Sequence, residues 1–372
     1  MTQRTDRCSS AGREKRKTGI AYSMETKYQA VYRNLKKYLA GLPDGTKLPP
    51  FTELCAKYSI SQASLSSALD LLEKDGLVRR IHRSGVFSVK DPASLKPLKI
   101  TLLMPGEQDT LFVALITACH HFCSAHRIQL QFEFSGLDLN QECEALNAVL
   151  TDDSCCGLLF MPLYPHFPRQ MCERSLRLLK KIAAKKPVVQ FDRQLNGFSF
   201  VGYDDHHAYS GLVQYLRGQG HRFIGLICAQ NDNLEEPPER IQAFFDVLRE
   251  WNVVCPAEHI IRYDAFSDSH PSNALEVLQR PDCPTAFVGI NAVYLPQFFH
   301  CAGLAGKRVP EDVAVCCYDL DSVVKALPFK VPYYSEPARE VMTQAAQQLL
   351  DEIKAVSPAG TVIRLKGNVC CP

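Results

Sequence analysis

The pattern of apolar and polar positions divides the chain into three stretches. Residues 1–24 show no periodic apolar positions and read as a disordered basic tail. From 25 to 90 the period is first helical: Tyr28, Val31, Tyr32, Leu35, Tyr38 and Leu39 form one stripe. Leu42-Pro43-Asp44-Gly45 carries turn chemistry that ends this helix. Pro50-Phe51-Thr52-Glu53 opens a short second helix with Leu54 and Tyr58 on it. After Ser59-Ile60, Ser61 is the expected N-cap of a third helix over 62–74. That helix should bury Leu65, Ala68, Leu69 and Leu72 and keep Gln62, Ser64, Ser66 and Ser67 outward. Residues 77–81 and 86–89 then alternate like two strands around His82-Arg83-Ser84-Gly85.

Helix, helix, short turn, helix and hairpin is the order of a winged helix-turn-helix. Such a unit offers the start of its third helix to base edges in the major groove and its hairpin to phosphates or a neighbouring groove. Beyond a linker at 91–97 the pattern changes to short apolar runs alternating with helical stretches. The runs fall at 100–104, 128–134, 157–161, 188–191, 223–228, 260–263, 286–290 and 313–318. The helices fall near 112–126, 141–150, 171–184, 205–217, 239–251, 271–279, 292–301 and 337–355. Repetition of strand, helix, strand predicts an α/β body of two parallel sheets flanked by helices. In such sheets ligands sit beyond the carboxyl ends of the strands, so the residues just after each run are the ones to watch.

Charge sharpens this division. The net charge is +2, but residues 1–24 carry a formal +4, residues 25–90 carry +5 and the remainder carries −7. A basic front on an acidic body predicts that only the front meets a polyanion. The candidate DNA-contacting residues are Lys47, Ser61, Gln62, Ser64, Ser66, Arg79, Arg80, Arg83, Ser84 and Gly85. The first twenty residues lack an apolar core, so no secretory signal is expected and the chain should be cytoplasmic; Met1 and Met24 are both candidate starts. No apolar run approaches the ~18 residues that a membrane span needs. The sixteen cysteines include adjacent pairs but no Cys-x-x-Cys, and read as reduced core thiols. Cys119, Cys123 and His126 share a helical face, yet no further ligand pair has zinc spacing, so no metal or other cofactor is expected. No phosphate loop, nucleophile elbow or zinc-protease helix occurs, and an enzyme is not expected.

The front module resembles the GntR family of DNA-binding domains. The similarity rests on Gly45-Thr46-Lys47-Leu48-Pro49, Glu53-Leu54, Glu73-Lys74-Asp75-Gly76-Leu77-Val78 and Ser84-Gly85-Val86-Phe87, over about 60 residues. It departs where bases would be read: Pro50, Thr52, Gln62 and Ser66 stand where the family usually has Ser or Arg. Gln can pair with adenine, but neither Gln nor Ser replaces an Arg on guanine.

The body is similar to the effector-binding domain of the LacI/GalR family, itself similar to periplasmic sugar-binding proteins. The landmarks are Pro187-Val188-Val189-Gln190-Phe191-Asp192-Arg193, Gly220-His221-Arg222-Phe223-Ile224, Arg240 with Ala243-Phe244, Pro284-Thr285-Ala286 and Val309-Pro310-Glu311-Asp312-Val313. A GntR-type head on a LacI-type body resembles the AraR-like repressors of carbohydrate genes. The resemblance implies a winged domain at 25–90 and an effector domain at 98–372. Its first lobe would span about 98–204 and 325–356, and its second about 205–324 and 357–372. It also implies a sugar pocket in which Phe112 stacks on the ligand. Asp192 and Arg193 would bond hydroxyls, Arg240 would clamp from the other lobe, and Asn291 and Asp319 would complete the site. Without the resemblance, Asp192-Arg193 reads equally as an ion pair at a strand end. Arg240 then reads as a partner of Glu236 or Glu239, and Phe112 as a core aromatic. The chain departs from the family at Ala292, where a sugar-bonding Asp is usual, and at Cys317, Leu320 and the C-terminal end.

The expected function is a ligand-responsive repressor acting as a homodimer on double-stranded operator DNA, with a sugar or sugar derivative as effector and no membrane partner. The alternative is an intracellular sugar-sensing protein whose head no longer reads a sequence.

Overall fold

The computed structural model describes residues 27–81, 84–90, 97–107, 110–163, 167, 170–195, 197–229, 238–263 and 272–371. The tail, Arg83 and most of the linker therefore lie outside the described residues. The chain forms two compact units that part near residue 92.

The front unit contains α1 (Lys27–Ala40), α2 (Phe51–Tyr58), α3 (Gln62–Lys74), β1 (Val78–Ile81) and β2 (Gly85–Ser88). Leu35, Leu54, Leu65, Leu69 and Leu72 are fully buried together and join the three helices to the hairpin through Val78 and Val86. The α2–α3 turn closes because Ser59 takes a left-handed conformation (φ 51°) and its N–H bonds the last turn of α2. Ser61 then caps α3, its hydroxyl accepting from the Ser64 amide at 3.2 Å. Residues 45–48 run antiparallel to β2, with Leu48 N donating to Val86 O at 2.7 Å and Ser88 N to Thr46 O at 2.8 Å. Lys47 opposes Phe87 in this pairing.

The rear unit opens with β3 (Lys99–Met104), α4 (Thr110–Ala125), β4 (Gln129–Phe134), α5 (Leu139–Thr151), β5 (Cys155–Phe160), α6 (Glu173–Ala183), β6 (Val188–Phe191) and β7 (Ser199–Tyr203). It continues with α7 (Asp205–Gly218), β8 (Ile224–Ala229), α8 (Glu239–Glu250), β9 (Ile260–Tyr263), α9 (Ala274–Gln279), β10 (Ala286–Gly289), α10 (Leu295–Leu304), β11 (Ala314–Asp319) and α11 (Asp321–Lys325). It ends with β12 (Tyr333–Ser335), α12 (Ala338–Ile353), β13 (Val362–Leu365) and β14 (Asn368–Cys370).

Two six-stranded sheets result, in the orders β13-β7-β6-β5-β3-β4 and β14-β12-β11-β10-β8-β9. Every pairing is parallel except β12 with β14, as expected where helices cover both faces and the strands read as continuous apolar runs. The chain passes between the sheets after β7, after β12 and between β13 and β14. The sequence-based lobe limits differ from this pairing. Tyr333–Ser335, expected in the first lobe, joins the second sheet, and Val362–Leu365, expected in the second, pairs with β7 in the first. These strands are three and four residues long. Their partner is decided by where each crossover returns the chain, which no local pattern records.

Gly367 stands at the last crossover. A Cβ there would lie 1.9 Å from the Ser335 carbonyl oxygen of the neighbouring crossover and 3.0 Å from the Tyr334 ring. Gly367→Ala is therefore expected to destabilise the rear unit by about 1–3 kcal/mol through forced backbone displacement. Urea unfolding of wild type and variant checks this; an unchanged midpoint would show that the two crossovers do not pack this closely.

Among the described residues, all cysteines are free and no helix is long and apolar enough to cross a membrane. Cys119 and Cys123 are buried in the core, whereas His126 is exposed, stacks on Phe122 at 4.1 Å and bonds its carbonyl at 2.8 Å. No group of three His, Cys, Asp or Glu side chains among the described residues is placed to hold a metal.

Candidate functional site

The carboxyl ends of both sheets meet around Arg240, on the first turn of α8. Its guanidinium lies 3.3 Å from Glu336 and 3.7 Å from Asp205, donates to Ile290 O at 3.5 Å, and covers the Tyr318 ring at 3.9 Å. Each partner lies at or just past the carboxyl end of a strand. Asp205 follows β7 at the start of α7, Ile290 follows β10, Tyr318 is near the end of β11, and Glu336 follows β12. Two lobes and two crossovers thus converge on one cation. Beneath it lies a buried aromatic layer, with Tyr203, Tyr209 and Tyr334 at 5.2–6.3 Å from Tyr318.

The electrostatics follow from burial. The Glu336 side chain is 3% exposed, and burial outweighs the attraction of Arg240, pushing its carboxyl up to about 8. The same balance moves Asp205 up to about 6, with Arg240 and Tyr318 resisting the shift. Burial works against the charge of Arg240, but Tyr318, Glu336 and Asp205 around it overcome this, and the guanidinium is held above its ordinary range. The Tyr203 hydroxyl is buried with no hydrogen-bond partner among the described residues.

Asp192 closes β6 in a left-handed conformation (φ 62°), a strained choice for a non-glycine residue. Its carboxylate meets the Arg193 guanidinium at 3.3 Å with only 8% of the Asp192 side chain exposed, so this is a shielded ion pair and not a surface one. Asp319 is buried and accepts from the amides of Ala292 at 2.9 Å and Leu320 at 2.7 Å. One oxygen positions the turn after β10 and the other the backbone that leads from β11 into α11. Asn291 caps the same turn by accepting from the Val293 amide at 2.9 Å. Phe112 is half-buried and packs against the main core cluster beside Gly106. Glu239, weighed from sequence as a partner of Arg240, pairs instead with Arg364 on β13 at 2.5 Å, bridging the lobes; Glu236 lies outside the described residues.

Sequence reasoning missed Tyr203, Asp205, Tyr318 and Glu336. For Asp205 and Glu336 the rule that function follows each strand is the right signal, but β12 is only three residues long and β7 is interrupted by Ser199 and Gly202, so neither shows as an apolar run; Tyr318 ends the run at 313–318 and reads there as core. Residues following β7 and β12 therefore have nothing to be counted from.

In the front unit, Ser61 and Gln62 are exposed at the start of α3, and Lys47, Ser84 and Gly85 are exposed on the hairpin side. Ser64 and Ser66 are half-buried. Arg79 and Arg80 are neighbours on β1 and so project to opposite faces. Arg79 is half-buried and Arg80 is 2% exposed.

Comparison with known proteins agrees with both halves. The model of bacterial regulatory proteins of the gntR family matches residues 27–87, and that of the periplasmic binding protein-like domain matches residues 213–370. The arabinose metabolism transcriptional repressor of Halalkalibacterium halodurans is 26% identical over 346 residues, covering 89% of this chain and 90% of the relative. That of Geobacillus stearothermophilus is 23% identical over 341 residues, covering 85% and 88%. Among solved structures, a putative ribose operon repressor from Burkholderia thailandensis superposes with a TM-score of 0.61 at 18% identity, covering 74% of this chain and 99% of that one. The chain joins a GntR-type winged helix-turn-helix to a LacI/GalR-like periplasmic-binding-protein domain.

Proposed function

We infer that this protein is a ligand-responsive DNA-binding regulator of carbohydrate genes, acting as a repressor and controlled by a sugar held between the two lobes of its rear unit. The observation that carries this reading is Arg240. One guanidinium is held by carboxylates from both lobe crossovers, so a ligand that engages it must act on both lobes at once. Its planar donors and the aromatic layer beneath suit a polyol, which presents paired hydroxyls and an apolar C–H face. Closing or opening the lobes then changes the separation of two heads in a homodimer on a pseudo-palindromic operator. Linkage makes the coupling reciprocal: an effector that favours the DNA-free state binds less tightly to the operator complex.

In the front unit, Gln62 is the side chain proposed to read a base, while Lys47 and Arg79 are proposed to meet phosphates. Gln62→Ala is expected to change the preferred base at one operator position, at a cost of about 1–3 kcal/mol for the original site. Arg79→Glu should weaken binding to every sequence and make the salt dependence shallower. In vitro selection of operators followed by salt titration separates the two effects. Enrichment of no motif by wild type would favour a head that binds duplex without reading it, and would remove the regulator reading.

A further inference from the structure

The balance of buried charge around Arg240 is uneven. Four carboxylates lie at this place, from Asp192, Asp205, Asp319 and Glu336, with two guanidinium groups, from Arg193 and Arg240. Asp192 is paired with Arg193 at 3.3 Å, and Asp319 is held by two backbone amides at 2.9 and 2.7 Å. Asp205 and Glu336 remain, sharing the single cation Arg240 at 3.7 and 3.3 Å. The nearby rim cations do not correct this, because Lys366 faces Asp204 at 3.8 Å and Arg364 faces Glu239. One buried carboxylate is left without a countercharge among the described residues, beside an unpartnered Tyr203 hydroxyl.

We propose that the effector carries a protonated amine, as an amino sugar or aminated polyol does, and that its ammonium group takes the place beside Asp205, Glu336 and the Tyr203 hydroxyl that Arg240 alone does not fill. The proposal rests on the reading of the cleft as the sugar site. A neutral polyol would supply hydroxyl donors but no countercharge, so Glu336 would have to keep its proton, and a sugar phosphate would add like charge to the remaining carboxylates. Tyrosine faces at this place already accept a cation, the Arg240 guanidinium at 3.9 Å from the Tyr318 ring centre. Without ligand, the surplus charge is relieved by a proton on Glu336, whose carboxyl is pushed up to about 8. An arriving ammonium group replaces that proton, which leaves to solvent.

The test is calorimetric titration of the full chain at neutral pH, in two buffers of different ionisation heat. The matched pairs are D-glucosamine and D-glucose, D-galactosamine and D-galactose, and D-mannosamine and D-mannose, with D-glucose 6-phosphate as the anionic probe. At least one amino sugar should bind about tenfold or more tightly than its neutral parent. Its binding should release up to one proton per ligand, and the phosphate should not bind. Glu336→Gln should remove both the preference and the proton release, and Asp205→Asn serves if that variant does not fold. A neutral parent that binds as tightly as its amine, or any binding of the phosphate, overturns the proposal and leaves the sugar-site reading standing. Failure of every probe to bind overturns both.

Discussion

Replacing Arg240 with alanine is expected to cost the rear unit roughly 3–5 kcal/mol and to abolish its response to any effector. The substitution removes the cation that, among the described residues, Asp205 and Glu336 share; their side chains are 13% and 3% exposed. A buried charge left without its partner carries this order of penalty, because the desolvation already suffered by the carboxylate is no longer offset. The lost stack on Tyr318 adds to it. Protonation of Glu336 provides a partial escape, so the loss should be smaller at pH 6 than at pH 8. Urea unfolding at the two pH values, together with a ligand-induced thermal shift, checks both parts. The double variant Arg240→Gln/Glu336→Gln should recover part of the stability without recovering the ligand response. A variant as stable as wild type at pH 8 would show that the guanidinium does not compensate these carboxylates.

The second large effect is the pH dependence of stability itself. The Glu336 carboxyl has an ordinary value of 4.5 and is raised to about 8 in the folded chain, and Asp205 is raised from 3.8 to about 6. Across this interval the folded state holds more protons than the unfolded state, so stability is greatest below the ordinary values and falls as pH rises through the folded ones. For Glu336 the full loss is on the order of 4 kcal/mol between about pH 5 and pH 8. Glu336→Gln should flatten this part of the profile and leave a smaller slope from Asp205, centred near pH 5 and ending just above pH 6. Unfolding midpoints across that range read the result directly. A wild-type profile that is flat, or that rises with pH, would mean that Glu336 stays ionised in the folded chain.

Much of this molecule was legible without coordinates because its signals are local. The third helix of the head runs from Gln62 to Lys74, as its cap and apolar spacing predict. Leu65, Ala68, Leu69 and Leu72, read as its buried face, are all buried. The eight apolar runs of the body each overlap a strand, because a central strand buried on both faces is written as a continuous apolar stretch; the edge strand β4 alternates instead. Arg240, Asp192 and Arg193 are named from the resemblance; Asp192 and Arg193 directly follow β6, and Arg240 lies on the first turn of α8.

What the chain's order of residues determined by itself is therefore the inventory: a basic winged head, two sets of parallel strands, and the cations and carboxylates available to a site. Only the tertiary structure decided which of them meet. Asp205 and Glu336 are 131 positions apart in the chain and 35 and 96 from Arg240, and they follow strands that are broken by Ser199 and Gly202 or only three residues long. Their approach depends on where three crossovers return the chain. The resulting charge imbalance depends on burial, a property of the packed whole that no single segment possesses.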